Sequence, residues 1–166
     1  MKRAKKNESG FSLIELLIVI LIIGILAAVL LPRVGQFRKA GNETAAMQML
    51  KKYMEAQLTF FGSRHAYGSP ADLVQASLIS EGLARQLGAT GAPTPVNGYV
   101  GSASHSADTP DGLGTQFAME LHPATPGTDG DRYFATDSSG TLYEARSPIA
   151  QANGELSLPG DARSIQ

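Results

Sequence analysis

A long apolar run near the N-terminus constrains this chain more than any other feature of its sequence. Residues 16–31 are all apolar apart from Gly24, and the run extends back to Phe11 with only Ser12 and Glu15 as polar members. As an α-helix the extended run would be roughly 30 Å long, the thickness of the hydrocarbon core of a bilayer. A run without a polar face fits poorly as a core helix of a soluble protein. The sequence therefore favours a membrane-spanning helix.

The residues around the run bear on its orientation and role. Four of the 14 Lys and Arg residues lie at positions 2–6, before the run, and this dense cluster is typical of the cytoplasmic side. A cleaved secretory signal and a plain single-pass anchor are both compatible with the run, but neither accounts for Glu15. A carboxylate near the end of a membrane helix usually has a partner and a function; solvation at the headgroup level is the structural alternative.

The overall composition argues against several classes of site. With Cys 0 there is no disulfide, thiolate metal site or cysteine nucleophile, and a formal net charge of -1 argues against a general nucleic-acid binder. The sequence has no G-x-S-x-G or G-x-x-x-x-G-K motif, and its histidines are spaced too widely for a metal-ligand pattern. We therefore expect neither an enzyme nor a cofactor.

The N-terminal segment resembles the processing site of the type IV pilin and pseudopilin family. The resemblance is carried by a short basic leader that ends in Gly10, by GFSLIEL at positions 10–16 and by LIVILIIGILAAVLLP at 17–32. Glu15 is the fifth residue after Gly10 and Pro32 is the twenty-second, as in that family. The similarity covers about the first 35 residues of the chain.

The resemblance implies a processing and assembly route. A prepilin peptidase would cut between Gly10 and Phe11, and the new amine of Phe11 would be N-methylated. Glu15 of one subunit would meet the terminal amine of its neighbour, and such an ion pair recovers part of the desolvation cost and fixes axial register. Gly24 and Ala28, four residues apart, would permit close helix approach, unless they are simply common residues of membrane helices.

Beyond Pro32, which is expected to kink or locally melt the helix, apolar residues recur at three- and four-residue steps. They predict an amphipathic helix over residues 34–61 whose apolar stripe holds a small globular head. The stripe consists of Phe37, Ala40, Thr44, Met47, Met54, Leu58 and Phe61. Ser69 before Pro70 predicts the start of a short helix, and a second is expected over residues 80–88.

The rest of the head has the sequence pattern of a small antiparallel sheet. The predicted strands are 99–102, 116–122, 132–136 and 141–146. Asp137-Ser138-Ser139-Gly140 is a hairpin turn between the last two, and residues 148–166 are expected to be loop or partly disordered. The predicted fold class is α+β, with a long N-terminal helix packed on the sheet, which is also the architecture that the resemblance implies.

The chain is thus expected to have four segments. They are a leader at 1–10, a transmembrane and assembly helix at 11–32, an amphipathic helix joining the head at 33–62, and an extracytoplasmic globular head with a loop-rich C-terminus at 63–166. Asp129 and Asp131 are the most suggestive candidates for Ca²⁺ ligands, as in some pseudopilin heads. Their spacing is not that of a helix–loop–helix calcium site, and aspartate is common in turns, so we assign no metal.

These features predict a structural subunit of a type IV pilus-like filament. We expect it to be stored in the inner membrane with a cytoplasmic N-terminus and then to form part of a cell-surface filament. The expected partners are further copies of the chain, prepilin peptidase, the pilus assembly platform and minor pilins, with no specific nucleic acid. One alternative is a minor pseudopilin of a type II secretion or DNA-uptake system. Another is an uncleaved, membrane-anchored extracytoplasmic binding domain.

Overall fold

A computed structural model describes residues 10–89 and 91–165, with the side chains of all of these except 29–32. Within them the chain forms helix α1 (Leu13–Arg64), two short helices, α2 (Pro70–Gln75) and α3 (Glu81–Gln86), and seven strands. The strands are β1 (Tyr99–His105), β2 (Phe117–Pro123), β3 (Tyr133–Asp137), β4 (Leu142–Ala145), β5 (Ala150–Ala152), β6 (Glu155–Ser157) and β7 (Arg163–Ile165). The chain divides into two compact units, one ending at Phe37 and the other beginning at Arg38.

Five of the strands form one antiparallel sheet in the order β1-β2-β3-β4-β7, and β5 pairs with β6 in a separate hairpin. The predicted α+β class is confirmed, and each of the four predicted strands overlaps one of β1 to β4. The turn between β3 and β4 is also confirmed. The backbone N–H of Gly140 donates to the Asp137 carbonyl at 3.0 Å, and Gly140 has a φ of 77°, which glycine adopts without strain.

The core of the second unit lies between one face of the sheet and residues 46–60 of α1. Tyr53 of α1, Phe117 of β2 and Phe134 of β3 are among its largest fully buried side chains. The rings of Tyr53 and Phe117 meet edge to face with their centroids 6.1 Å apart, an arrangement that aromatic pairs favour. This layer fixes the sheet to the helix without any disulfide.

The predicted apolar stripe of α1 is wrong in its phase, although two of its members, Met47 and Met54, are partly buried against the core. The buried positions are Glu43, Ala46, Leu50, Tyr53, Ala56, Gln57 and Phe60. They lie one residue, or about 100°, around the helix from the predicted stripe, of which Leu58 is 52% and Phe61 37% exposed. Two polar residues explain the error, because Glu43 and Gln57 are buried with hydrogen-bond partners. Gln57 donates to the Tyr53 hydroxyl at 3.0 Å and to the Gly68 carbonyl at 2.7 Å.

The two short helices begin at the serines that the sequence marks. Ser69 caps α2 in a capping box: its Oγ accepts from the backbone N–H of Asp72 at 3.2 Å, and the Asp72 carboxylate accepts from the backbone N–H of Ser69 at 2.8 Å. Ser80 caps α3 through the backbone N–H of Leu83 at 3.3 Å. The predicted helix starts are therefore confirmed.

The C-terminal tail is not a loop, contrary to the prediction. It contains the β5–β6 hairpin and β7, which pairs with β4 at the edge of the sheet. Asn153 and Gly154 form the hairpin turn with φ values of 50° and 81°, the positive angles that a type I′ turn requires. The Asn-Gly dipeptide was a readable signal for this hairpin, whereas three-residue strands are too short for alternation to reveal them.

Two glycine substitutions are expected to change stability in opposite directions. A Cβ on Gly101 in β1 would lie 2.0 Å from the Glu120 carbonyl oxygen, so Gly101→Ala should lower the free energy of unfolding by about 2–3 kcal/mol. A Cβ on Gly41 in α1 would meet nothing within 4 Å, so Gly41→Ala should raise it by about 0.5–1 kcal/mol. Thermal unfolding of the two variants measures both effects, and a shift of the same sign in both would contradict this account.

Candidate processing and assembly site

The N-terminus of α1 is organised by Ser12 and Glu15. The backbone N–H of Ser12 donates to Glu15 Oε2 at 3.1 Å, and the Ser12 carbonyl accepts from the backbone N–H of Leu16 at 3.2 Å. A carboxylate that reaches back from the first turn to the residue before the helix is one half of a capping box, and its negative charge also interacts favourably with the helix dipole. Sequence reasoning missed this role, although the S-x-x-E pattern of residues 12–15 could have revealed it.

The peptide bond predicted to be cleaved lies just outside this helix. Gly10 and Phe11 have no regular secondary structure, and both are exposed, Phe11 to 83%. Exposed, irregular backbone is what a protease needs in order to bind a substrate in an extended conformation. Residues 1–9 of the predicted leader, which spans residues 1–10, lie outside the described residues.

The part of α1 from residue 16 to residue 28 is apolar on its whole circumference. Each large apolar side chain between Phe11 and Leu26 is at least 46% exposed, from Val19 at 46% to Phe11 at 83%. Burial of such surface is worth about 25 cal/mol per Å², so leaving all of it in water is strongly unfavourable. This helix therefore requires either lipid or other protein around it.

A shallow groove runs along one side of this helix. It is lined by Leu17, Ile20, Leu21, Gly24, Ile25 and Ala28. The spacing of three and four residues places them on one face, with Gly24 near the middle and Ala28 at one end. A Cβ on Gly24 would meet nothing within 4 Å, so the backbone there is open to close approach by another helix.

By length and composition, no single helix in residues 10–89 and 91–165 qualifies on its own as a membrane span. The bent pair Leu13–Ala28 and Arg33–Arg64, which are the parts of α1 before and after residues 29–32, passes the same criteria when the two parts are taken together. Pro32 falls between these parts, in the stretch 29–32 that lies outside the described side chains, so its predicted kink stays a prediction.

The two aspartates considered as Ca²⁺ ligands are engaged by the start of the second unit's helix. Lys39 Nζ donates to both Asp131 carboxylate oxygens at 3.1 Å, and the Arg38 guanidinium lies 3.7 Å from Asp129 Oδ1. Asn42 Nδ2 donates to the Asp129 carbonyl at 2.8 Å. In the described parts of the chain no three His, Asp or Glu side chains are grouped to hold a metal ion. These contacts give the aspartates a role in attaching the loop before β3 to α1.

A second polar cluster, which sequence reasoning missed, ties α1 to the sheet. Arg132 donates to Glu43 Oε2 at 2.7 Å and 2.9 Å and to Glu144 Oε2 at 2.7 Å, while Glu43 Oε1 accepts from the backbone N–H of Asp131 at 3.0 Å. Burial acts to lower the pKa of Arg132, but the hydrogen bonds to the two glutamates outweigh it and raise that pKa above its ordinary value. The arginine therefore holds a fixed positive charge between helix and sheet.

Comparison with known proteins bears on the N-terminal motif. Residues 5–31 match the family model described as the prokaryotic N-terminal methylation motif. The chain is 45% identical over 78 residues to the type IV wide pilus major component PilA4 of Thermus thermophilus, an alignment covering 47% of this chain and 56% of that protein. It is 38% identical over 72 residues to the type IV major pilin protein PilA of Myxococcus xanthus, covering 43% of this chain and 33% of that protein.

The alignments thus span about half the length of one relative and a third of the other. Within that extent the motif and the two relatives agree with the resemblance seen at residues 10–32. The chain carries the prokaryotic N-terminal methylation motif and is homologous to type IV pilins.

Proposed function

We propose that this chain is a structural subunit of a type IV pilus-like filament, cut by a prepilin peptidase between Gly10 and Phe11 and polymerised through its N-terminal helix. The observation that carries the proposal is the exposed apolar helix that directly follows the irregular backbone at Gly10 and Phe11. The large side chains from Phe11 to Leu26 are at least 46% exposed, so this helix must exchange one apolar environment for another. Lipid supplies that environment before assembly and neighbouring copies supply it afterwards.

The chemistry of the cut explains why an acid stands at the start of an apolar helix. Hydrolysis of the bond between Gly10 and Phe11 creates an amine that is largely protonated near neutral pH. In the uncut chain the Glu15 carboxylate has a backbone N–H of Ser12 as its partner, at 3.1 Å. The amine of a neighbouring subunit offers a full positive charge in place of a backbone dipole, so the carboxylate would gain an ion pair.

Each segment of the chain then has its own role in the filament. Residues 11–32 anchor the subunit and later form the interior of the filament, with Gly24 and Ala28 on a face of close approach. Residues 33–62 join this helix to the head, and residues 63–166 form the extracytoplasmic head at the filament surface. The partners are other copies, the peptidase, the assembly platform and minor pilins, and the N-terminus faces the cytoplasm before assembly. The two relatives, whose names describe pilus components, support this assignment.

Intact mass and N-terminal sequencing of the cellular protein test the proposal. The expected product begins at Phe11 and carries one added methyl group, and it is the form recovered in filaments. Gly10→Val is expected to leave the chain uncut. Gly35→Val is the matched control, because a Cβ at either glycine would meet nothing within 4 Å and should not disturb folding. Filaments built from chains that retain residues 1–10 would contradict the proposal.

A further inference from the structure

The β5–β6 hairpin covers the face of the sheet that points away from α1. Successive side chains of a strand point to opposite faces, and Phe134 belongs to the core against α1, whereas Ala135 belongs to a second, smaller core. Ala135, Ala145 and Ile149 are buried in that second core, and Leu156 of β6 packs on it. The hairpin is thus held by a few small apolar contacts, which makes its polar contacts important for its position.

A buried acid lies under the start of this hairpin. Glu120 of β2 is 7% exposed, and its two carboxylate oxygens have different partners. Oε1 accepts from Ser102 Oγ at 3.0 Å, and Oε2 lies 3.0 Å from His122 Nδ1. His122 is half exposed, and Pro148 and Ile149 line a cleft of about 330 Å³ beside the pair.

Ser102, which donates to Glu120, also accepts a hydrogen bond from the hairpin. Gln151 Nε2 of β5 donates to Ser102 Oγ at 2.8 Å, and Gly154 N at the turn donates to Ser104 Oγ at 2.9 Å. Gln151 Oε1 is hydrogen-bonded to the Ser104 hydroxyl as well. A chain of hydrogen bonds therefore runs from Gln151 through Ser102 to Glu120 and His122.

The direction of these bonds depends on the charge of Glu120. Ser102 has a single hydroxyl proton, so it can accept from Gln151 with its lone pairs while it donates to an ionised carboxylate. A buried carboxylate is costly unless it is both hydrogen-bonded and paired with a positive charge. Protonated His122 supplies that charge, whereas neutral His122 supplies only a hydrogen bond.

We propose that protonation of His122 tightens the docking of the β5–β6 hairpin on the sheet, so that this surface element responds to pH near neutrality. The hydrogen bond that His122 donates to Glu120 raises the pKa of His122 above its ordinary value, against an opposing effect of burial. A group whose pKa is raised on folding contributes stability below its unfolded pKa and loses that contribution as pH rises through the folded pKa. The hairpin is therefore held most firmly in mildly acidic solution.

The other titratable groups near β2 do not replace His122 in this role. They are His105 on β1, Tyr133 and Asp137 on β3, and Glu155 on β6. Tyr133 stacks on the His122 ring with centroids 6.5 Å apart, which is an aromatic contact. His105 Nε2 lies 2.9 Å from the Gly112 carbonyl, at the opposite end of the β1–β2 pair from His122. Asp137 pairs in register with Ala118, and Glu155 is exposed.

Hydrogen exchange of the full chain in detergent micelles, measured by mass spectrometry at about pH 5.5 and about pH 8, tests the proposal. After correction for the intrinsic rate, peptides covering residues 148–158 should be protected roughly two- to five-fold more at the lower pH, the range expected for a partly exposed ion pair. His122→Gln should abolish that difference. His105→Gln, a second histidine of the same sheet, should keep it.

Equal protection of the wild-type hairpin at the two pH values would overturn the proposal, as would a His122→Gln variant that keeps the difference. Peptides from β2 and β3 report whether each variant retains the sheet. If His122→Gln loosens the sheet itself, the Glu120→Gln variant is used to test the proposal instead. Its side-chain amide is nearly the same size as the carboxylate and carries no charge. Loss of the pH difference in that variant supports the proposal, and its persistence overturns it.

Discussion

Replacing Glu15 by glutamine is expected to reduce filament yield by roughly tenfold or more while the chain still inserts into the membrane. The glutamine side-chain oxygen can still accept the backbone N–H of Ser12, which Glu15 accepts at 3.1 Å, so the start of α1 is preserved. What the variant loses is the charge that would pair with the amine of a neighbouring subunit. Removing one member of a buried pair costs about 3–5 kcal/mol, and the loss recurs at every subunit contact.

Electron microscopy of filaments, together with the amount of subunit in the membrane fraction, measures this effect. Glu15→Ala removes both the cap and the charge, so the pair of variants separates the two roles of the carboxylate. Glu55→Gln is the matched control, because Glu55 is an exposed acid further along α1. Normal filament yield from Glu15→Gln would exclude a role for the charge. If only Glu15→Ala then lowered the yield, the capping role would be sufficient.

The N-terminal motif was readable because all of its information is local. Gly10, Phe11 and Glu15 stand at fixed positions before an apolar run, and no distant contact is needed to recognise them. The strands of the head were readable for a similar reason, since alternation and turn residues mark β2, β3 and β4. The bond from Ser12 to Glu15 belongs to the same class of local signal and should have been included.

What the sequence concealed depends on contacts between distant residues. Glu43 is buried on α1 only because Arg132, 89 positions away, donates to it, and Gln57 only because Gly68 and Tyr53 complete its hydrogen bonds. Hydropathy assigns both side chains to the solvent face, so the predicted apolar stripe lies about 100° around α1 from the buried face. In the tail, β7 is a strand because β4 offers it an edge, and three residues carry too little pattern to show that.

Replacing Arg132 by methionine is expected to lower the free energy of unfolding of the head by about 2–3 kcal/mol. The arginine neutralises Glu43, which is 8% exposed, and Glu144, with both distances at 2.7 Å. Without it, among the described residues, Glu43 keeps the backbone N–H of Asp131 as its one hydrogen-bond partner, at 3.0 Å. Breaking a fully buried ion pair costs about 3–5 kcal/mol. The Arg132 side chain is 36% exposed, so solvent screens the pair and we expect the lower loss of about 2–3 kcal/mol. Methionine keeps an unbranched apolar stem but loses the guanidinium carbon, which lies 5.4 Å from the centroid of the Phe134 ring.

Urea unfolding of the full chain in micelles, followed by tyrosine fluorescence, measures the loss, and its pH dependence identifies the cause. In the variant the buried Glu43 carboxylate lacks its cationic partner, and protonation, which removes the negative charge, relieves the cost of burying it. The deficit should therefore be smaller at about pH 4 than at about pH 7. Arg85→Met, at an exposed arginine of α3, should change stability by less than about 0.5 kcal/mol. A deficit at Arg132 that did not vary with pH would mean that lost packing, and not the stranded charge of Glu43, destabilises the head.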